Sequence, residues 1–163
     1  MKRLLILATV LLSACGFQLR GAYSFPFDTL YIALAESSEL RSVIKRNVEA
    51  STQTRIVAAP ADAQASLTIL GDVVLKKIMS LNSAGRVREY QLERTFTFRV
   101  TDPKGQEFLP PNTIRITREM TFDDAAVLSK EAEEVLLWRD IQNDLVQQLL
   151  RRLAAGKLKP AGT

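Results

Sequence analysis

From Tyr90 to Val100 the chain alternates apolar and polar side chains with the two-residue period of a β-strand. Tyr90, Leu92, Phe96, Phe98 and Val100 take one face, and Gln91, Glu93, Thr95, Thr97 and Arg99 the other. Such a strand belongs to a sheet that is buried on one side and wet on the other, so a second layer must cover its apolar face. Arg94 interrupts the apolar row and is expected near the rim of the covered face.

The end of the chain supplies that layer. Val135, Trp138, Ile141, Leu145, Leu149 and Leu153 recur at helical spacing, and Leu137 and Val146 widen the stripe. Ser129 is the expected N-cap. Glu131, Glu133 and Glu134 then crowd the first turns and Arg151 and Arg152 the last, an order that complements the helix dipole. Gly156 should end the helix, leaving 157–163 as a loose tail.

Thr29 to Leu34 predicts a strand with Leu30, Ile32 and Leu34 on one face. Ser37 or Ser38 caps a helix carrying Leu40, Val43, Ile44 and Val48 inward and fading near Ser51. Ala58 to Ala65 reads as a connection. Ser66 to Met79 predicts a strand whose alternation breaks at Gly71, the mark of a bulge. Asn82-Ser83-Ala84-Gly85 and Asp102-Pro103-Lys104-Gly105 are turns, and Pro110-Pro111 should limit pairing around it. Ile114, Ile116, Met120 and Phe122 alternate with Arg115, Thr117, Glu119 and Thr121. The predicted fold is α+β: a two-layer sandwich in the order β-α-β-β-β-α, with a four-stranded, largely antiparallel sheet and two helices on one face.

The first residues are of a different kind. Lys2-Arg3, an apolar run from Leu4 to Leu12, and the small Ser13-Ala14 have the order of a secretory signal peptide. The run is shorter than the roughly 20 apolar residues that span a bilayer. The only cysteine, Cys15, follows directly. Leu12-Ser13-Ala14-Cys15 resembles the lipobox of bacterial lipoproteins; an ordinary signal peptide ending beside a cysteine is the plainer alternative. The lipobox implies cleavage after residue 14, with diacylglyceryl and N-acyl groups on Cys15, enough acyl chains for a stable anchor. Gly16 rather than Asp follows, which for such lipoproteins implies the outer membrane. The expected organisation is a signal peptide at 1–14, a lipidated lead at 15–28, one periplasmic domain at 29–156 and the tail.

Removing residues 1–14 leaves 149 residues, one domain's worth. It also removes Lys2 and Arg3, lowering the formal charge from +4 to +2. No basic stripe with interleaved aromatics points to nucleic acid. The chain has no histidine, and its one thiol is assigned to lipid. Ser-His-Asp and Cys-His nucleophiles and the usual zinc sites therefore lack their parts. Asp123-Asp124 and Glu133-Glu134 are the carboxylate pairs a hydrolase would need. Neighbours on a helix point about 100° apart, and such pairs are mostly solvated surface. No cofactor or metal is expected beyond the acyl groups on Cys15.

Cys15-Gly16-Phe17-Gln18-Leu19-Arg20 resembles the opening of the lipopolysaccharide-assembly lipoprotein (LptE) family. The likeness continues through Glu89-Tyr90-Gln91 after a hairpin and Phe122-Asp123 before the last helix. The resemblance implies a non-enzymatic protein that plugs and helps assemble the outer-membrane β-barrel LptD, and that binds lipopolysaccharide. It implies a binding cation ahead of the last helix, a place held here by Lys130. A second family cation precedes the hairpin, where this chain has Leu81-Asn82-Ser83; Arg86 and Arg88 are the substitutes, with Lys76 and Lys77 further from the tip. The polar face of residues 91–101 would suit either a barrel lumen or plain solvent. The alternative function is a lipoprotein subunit of the machinery that assembles outer-membrane barrel proteins.

Overall fold

A computed structural model describes residues 23–156. The expected leader, Cys15 with the Gly16–Arg20 opening, and the tail from Lys157 lie outside them. The elements are β1 (Thr29–Ala33), α1 (Glu39–Ser51), β2 (Arg55–Val57), β3 (Ala65–Leu81), β4 (Val87–Thr101), β5 (Glu107–Thr121) and α2 (Val127–Ala155).

The sheet has five strands in the order β2-β1-β3-β4-β5 and is mixed, which corrects the expected four-stranded, largely antiparallel one. β1 runs parallel to both β2 and β3, while β3, β4 and β5 form antiparallel pairs. The reason is the crossover. α1 returns the chain to the start of β1, so the next strand must run parallel. The link after β2 contains a 3-10 turn at Pro60–Asp62 and carries the chain to the other side of β1. Gln64 fastens it: its N–H donates to Thr29 Oγ1 at 2.9 Å, and its Oε1 accepts the Asp28 N–H at 2.7 Å.

α1 forms as its spacing predicts. Ser38 Oγ accepts the Arg41 N–H at 3.3 Å, and Leu40, Val43, Ile44 and Val48 are buried. β3 bulges at Leu70, because Ile69 faces Phe98 and Gly71 faces Thr97. The hairpin turns place Gly85 and Gly105 at φ 75° and 81°, a region that glycine enters without strain. Pro110 and Pro111 do not stop β5. It is the outer strand, and its register steps over them, Phe98 facing Asn112 and Val100 facing Leu109.

α2 begins ahead of its expected cap. Asp123 Oδ1 accepts the Ala125 N–H at 2.9 Å and caps a short 3-10 turn that runs into the helix at Val127. Ser129 instead donates its hydroxyl to the Ala126 carbonyl at 2.8 Å. Val135, placed on the buried stripe by its spacing, is 59% exposed. α1 accounts for that difference. Gln142 reaches Glu39, the first residue of α1, and Gln147 reaches Asn47, so α1 flanks only the later part of α2.

One core fills the space between layers, with Leu30, Ile32, Ile44, Val48, Phe96, Phe98, Ile141, Leu145 and Leu149 fully buried. It extends ahead of β1: Phe27 is buried, with Phe25 and Phe108 rings 5.4 and 6.2 Å away. Arg94 does lie at the rim, bound to Asp72 through Nε and Nη2 at 2.8 and 2.7 Å. The molecule thus has two ends. Tyr23 meets Ser51 at the base, where Gly156 also lies against Leu109. The β3–β4 turn, the end of β5 and the start of α2 form the tip, roughly 50 Å away along β4 at about 3.3 Å per residue.

Candidate functional site: the cationic tip

Three strand ends and a helix start converge at the tip. The turn is tight because Asn82 Oδ1 accepts the N–H groups of both Ala84 and Arg86 at 3.0 Å. The Phe122 N–H donates to the Arg88 carbonyl at 2.8 Å, which pins the exit of β5 to the start of β4. Beneath it Tyr90 and Phe122 pack edge to face, ring centroids 5.4 Å apart.

This framework brings the three cations singled out from the sequence to one end of the molecule, though in different states. Lys130 is largely covered, its side chain 19% exposed, and its Nζ donates to Glu133 at 2.8 Å and to Thr121 Oγ1 at 3.0 Å. Arg86 is open and pairs with Asp124 at 3.2 Å. Arg88 is exposed and has no carboxylate in ion-pair range among the described residues. Lys76 lies further back, bound to Glu134 at 2.6 Å and 4.2 Å above the Tyr90 ring, a cation–π arrangement. Lys77 pairs with Glu93 at 3.1 Å on the opposite face of the sheet.

The carboxylates considered as acid–base pairs are engaged singly. Asp123 caps the turn and Asp124 holds Arg86, while Glu133 holds Lys130 and Glu134 holds Lys76. Nearer the middle of α2, Arg118 bridges Asp140 at 3.1 Å and Asp144 at 3.3 Å. The Asp140 hydrogen bond is the main cause that raises the pKa of this guanidinium above its already high ordinary value. Among the described residues no group of three or more acidic, histidine or cysteine side chains converges as a metal would need. No helix among them is long and apolar enough to cross a membrane.

Chemically, then, the tip is a set of cations balanced by local carboxylates. An incoming phosphate or sugar carboxylate finds Arg88 ready and competes with Asp124 and Glu133 for Arg86 and Lys130. The arginines present fork-shaped donors, whereas Lys130 offers a point charge. Sequence reasoning found the cations but missed most of their partners. Only Lys130 and Glu133, three apart on one helix, were legible as a pair.

Solved lipoproteins share this architecture. An uncharacterized lipoprotein B from Nitrosomonas europaea superposes with a TM-score of 0.75 at 35% identity, covering 86% of this chain and 91% of the other. The rare lipoprotein B from Shewanella oneidensis gives a TM-score of 0.67 at 25% identity, covering 78% and 94%. Among curated relatives, the LPS-assembly lipoprotein LptE of Pectobacterium atrosepticum is 29% identical over 153 residues, 90% of this chain and 80% of its own length. The LPS-assembly lipoprotein LptE of Yersinia enterocolitica is 31% identical over 156 residues, 92% and 73% of the two chains. The family model for lipopolysaccharide-assembly LptE matches residues 27–153, from the first core phenylalanine to the last buried leucine of α2, and the chain belongs to that family.

Proposed function

We propose that this protein is lipidated on Cys15, sits on the periplasmic face of the outer membrane, and there partners, plugs and helps assemble an LptD β-barrel while binding lipopolysaccharide. In this reading residues 1–14 are removed and 15–28 lead from the anchor. Residues 29–156 then work as one periplasmic domain and 157–163 are a tail. The acyl groups on Cys15 are the sole non-protein component. The observation that carries the ligand part is the gathering of Arg86, Arg88 and Lys130 at one end of a family member. Inner saccharides of lipopolysaccharide carry phosphates and carboxylates that such a cluster recognises.

The polar face supports the plug. Thr95, Thr97 and Arg99 point away from the helices, and Thr97 Oγ1 lies 3.0 Å from Thr113 Oγ1 on the next strand. A water-filled barrel lumen is polar, and the β4 row of this face would meet it through polar side chains.

Co-purification tests the partnership: a tagged, lipidated form should recover the barrel from outer membranes, and its consistent absence refutes the proposal. Depletion separates the alternative role. Selective loss of surface lipopolysaccharide agrees with the present reading, whereas general loss of barrel proteins assigns the chain to the barrel-assembly machinery.

A further inference from the structure

The second half of β3 is an open sheet edge. β1 pairs with β3 only between Ala65 and Thr68, so beyond Thr68 that side of β3 meets no strand among the described residues. Exposed edges are usually short, charged or kinked, because unpaired N–H and C=O groups recruit other chains. This one is long and apolar: Val73, Val74, Leu75, Ile78 and Met79 are each between 41 and 58% exposed.

Both faces take part. Val74 and Ile78 lie opposite Arg94 and Tyr90 on the helix side, and Val73 and Leu75 opposite Thr95 and Glu93 on the other. α2 adds Leu128 and Val135, seven residues apart on one flank and 83 and 59% exposed. Glu134, beside Val135, reaches across to Lys76, whereas Asp140 and Asp144 turn toward Arg118 of β5. The open flank of the helix therefore borders the open edge of the sheet.

The backbone decides what can cover this surface. A lipid chain would leave the edge N–H and C=O groups without partners in an apolar medium. A second copy, paired antiparallel about the middle of Leu70–Leu81, would set Lys76 and Lys77 opposite Leu75 and Val74 and bring no carboxylate opposite either lysine. An extended segment of a different chain satisfies the backbone row and covers apolar side chains on both faces. It can also bring further carboxylates to Lys76 and Lys77, whose side chains stay 35 and 46% exposed beside Glu134 and Glu93.

We propose that Leu70–Leu81 takes up an extended segment of the barrel partner as one more strand, with alternating apolar side chains and acidic groups facing Lys76 and Lys77. This rests on the barrel reading above. A closed barrel has no free edge of its own, so the segment comes from a loop or terminal stretch of that partner.

Hydrogen exchange of the lipoprotein alone and in its purified complex with the barrel tests the proposal. Edge-facing amides between residues 70 and 81 exchange fast in the free chain and slow at least about tenfold in the complex, as hydrogen-bonded amides do. Adjacent strand residues aim their N–H groups to opposite sides. Proline at whichever of Val73 and Val74 points outward should then lower complex yield several-fold with the β3–β4 ladder and circular dichroism unchanged. A complex whose 70–81 amides stay fast overturns strand addition and leaves the barrel reading standing. Failure to form any complex overturns both. Slowing that grows with the concentration of the free chain assigns the edge to a second copy and overturns the proposal.

Discussion

Replacing Asp72 with valine tests how the sheet holds a guanidinium within its apolar row. The Arg94 side chain is 11% exposed and that of Asp72 29%, joined by two hydrogen bonds at 2.8 and 2.7 Å. Without Asp72, Arg94 keeps only a 3.4 Å contact to Gln142. Hydrogen bonds to charged groups contribute about 1.5–3 kcal/mol, and some water still reaches the pair, so Asp72→Val should cost about 2 kcal/mol. For a domain of this size that is a fall in Tm of roughly 6 °C. Arg94→Met leaves a carboxylate that hydrates more easily and should cost about 1 kcal/mol. The double variant places two apolar side chains across the same pair and should return to within about 1 kcal/mol of the wild type, as apolar replacements of buried ion pairs often do. Urea unfolding of the four proteins, as soluble forms that start after Cys15, closes the cycle. Additive losses, with the double variant about 3 kcal/mol less stable, would refute a pair that matters chiefly by satisfying its own buried charge.

Three further outcomes follow from the same structure. Asp124→Asn with Glu133→Gln frees Arg86 and Lys130 from competitors worth up to about 1 kcal/mol each, and should tighten lipopolysaccharide binding several-fold by equilibrium titration. Leu145→Ala should lower unfolding stability by about 2–5 kcal/mol, while Val135→Ala, on the same spacing but open to solvent, should stay within about 0.5 kcal/mol. Gly85→Ala meets no atom within 4 Å of the new Cβ, so its loss, about 1–2 kcal/mol in urea unfolding, should come from the positive φ alone.

The fold was legible where a pattern is its own evidence. The alternation of β4, both hairpin turns, the Gly71 bulge and the buried faces of α1 and the later part of α2 follow from spacing and turn chemistry. β2 was not legible, because Arg55–Val57 is too short to show a period and exists only as a parallel partner of β1. Val135 shows the matching limit in a helix. Spacing says which way a side chain faces, and the position of α1 decides whether anything is there. The same holds for β3, whose spacing gives a strand but not that its neighbour ends at Ala33. At the tip, the residue types that bind anions were visible in the sequence. Their carboxylate partners were not, because Arg86 meets Asp124 and Lys76 meets Glu134 only once the strands and helix are assembled.

The central claim is that the tip cations recognise lipopolysaccharide. Its most direct test is equilibrium binding of purified lipopolysaccharide to the wild type and to Arg86→Asp, Arg88→Asp, Lys130→Asp combined. A control carries the same charge change at three exposed cations away from the tip, Arg46→Asp, Arg99→Asp and Lys104→Asp. Charge-assisted contacts of about 1 kcal/mol or more each predict at least a tenfold loss for the tip variant and little change for the control. Equal affinities for the two variants, with both folded, would contradict the assignment.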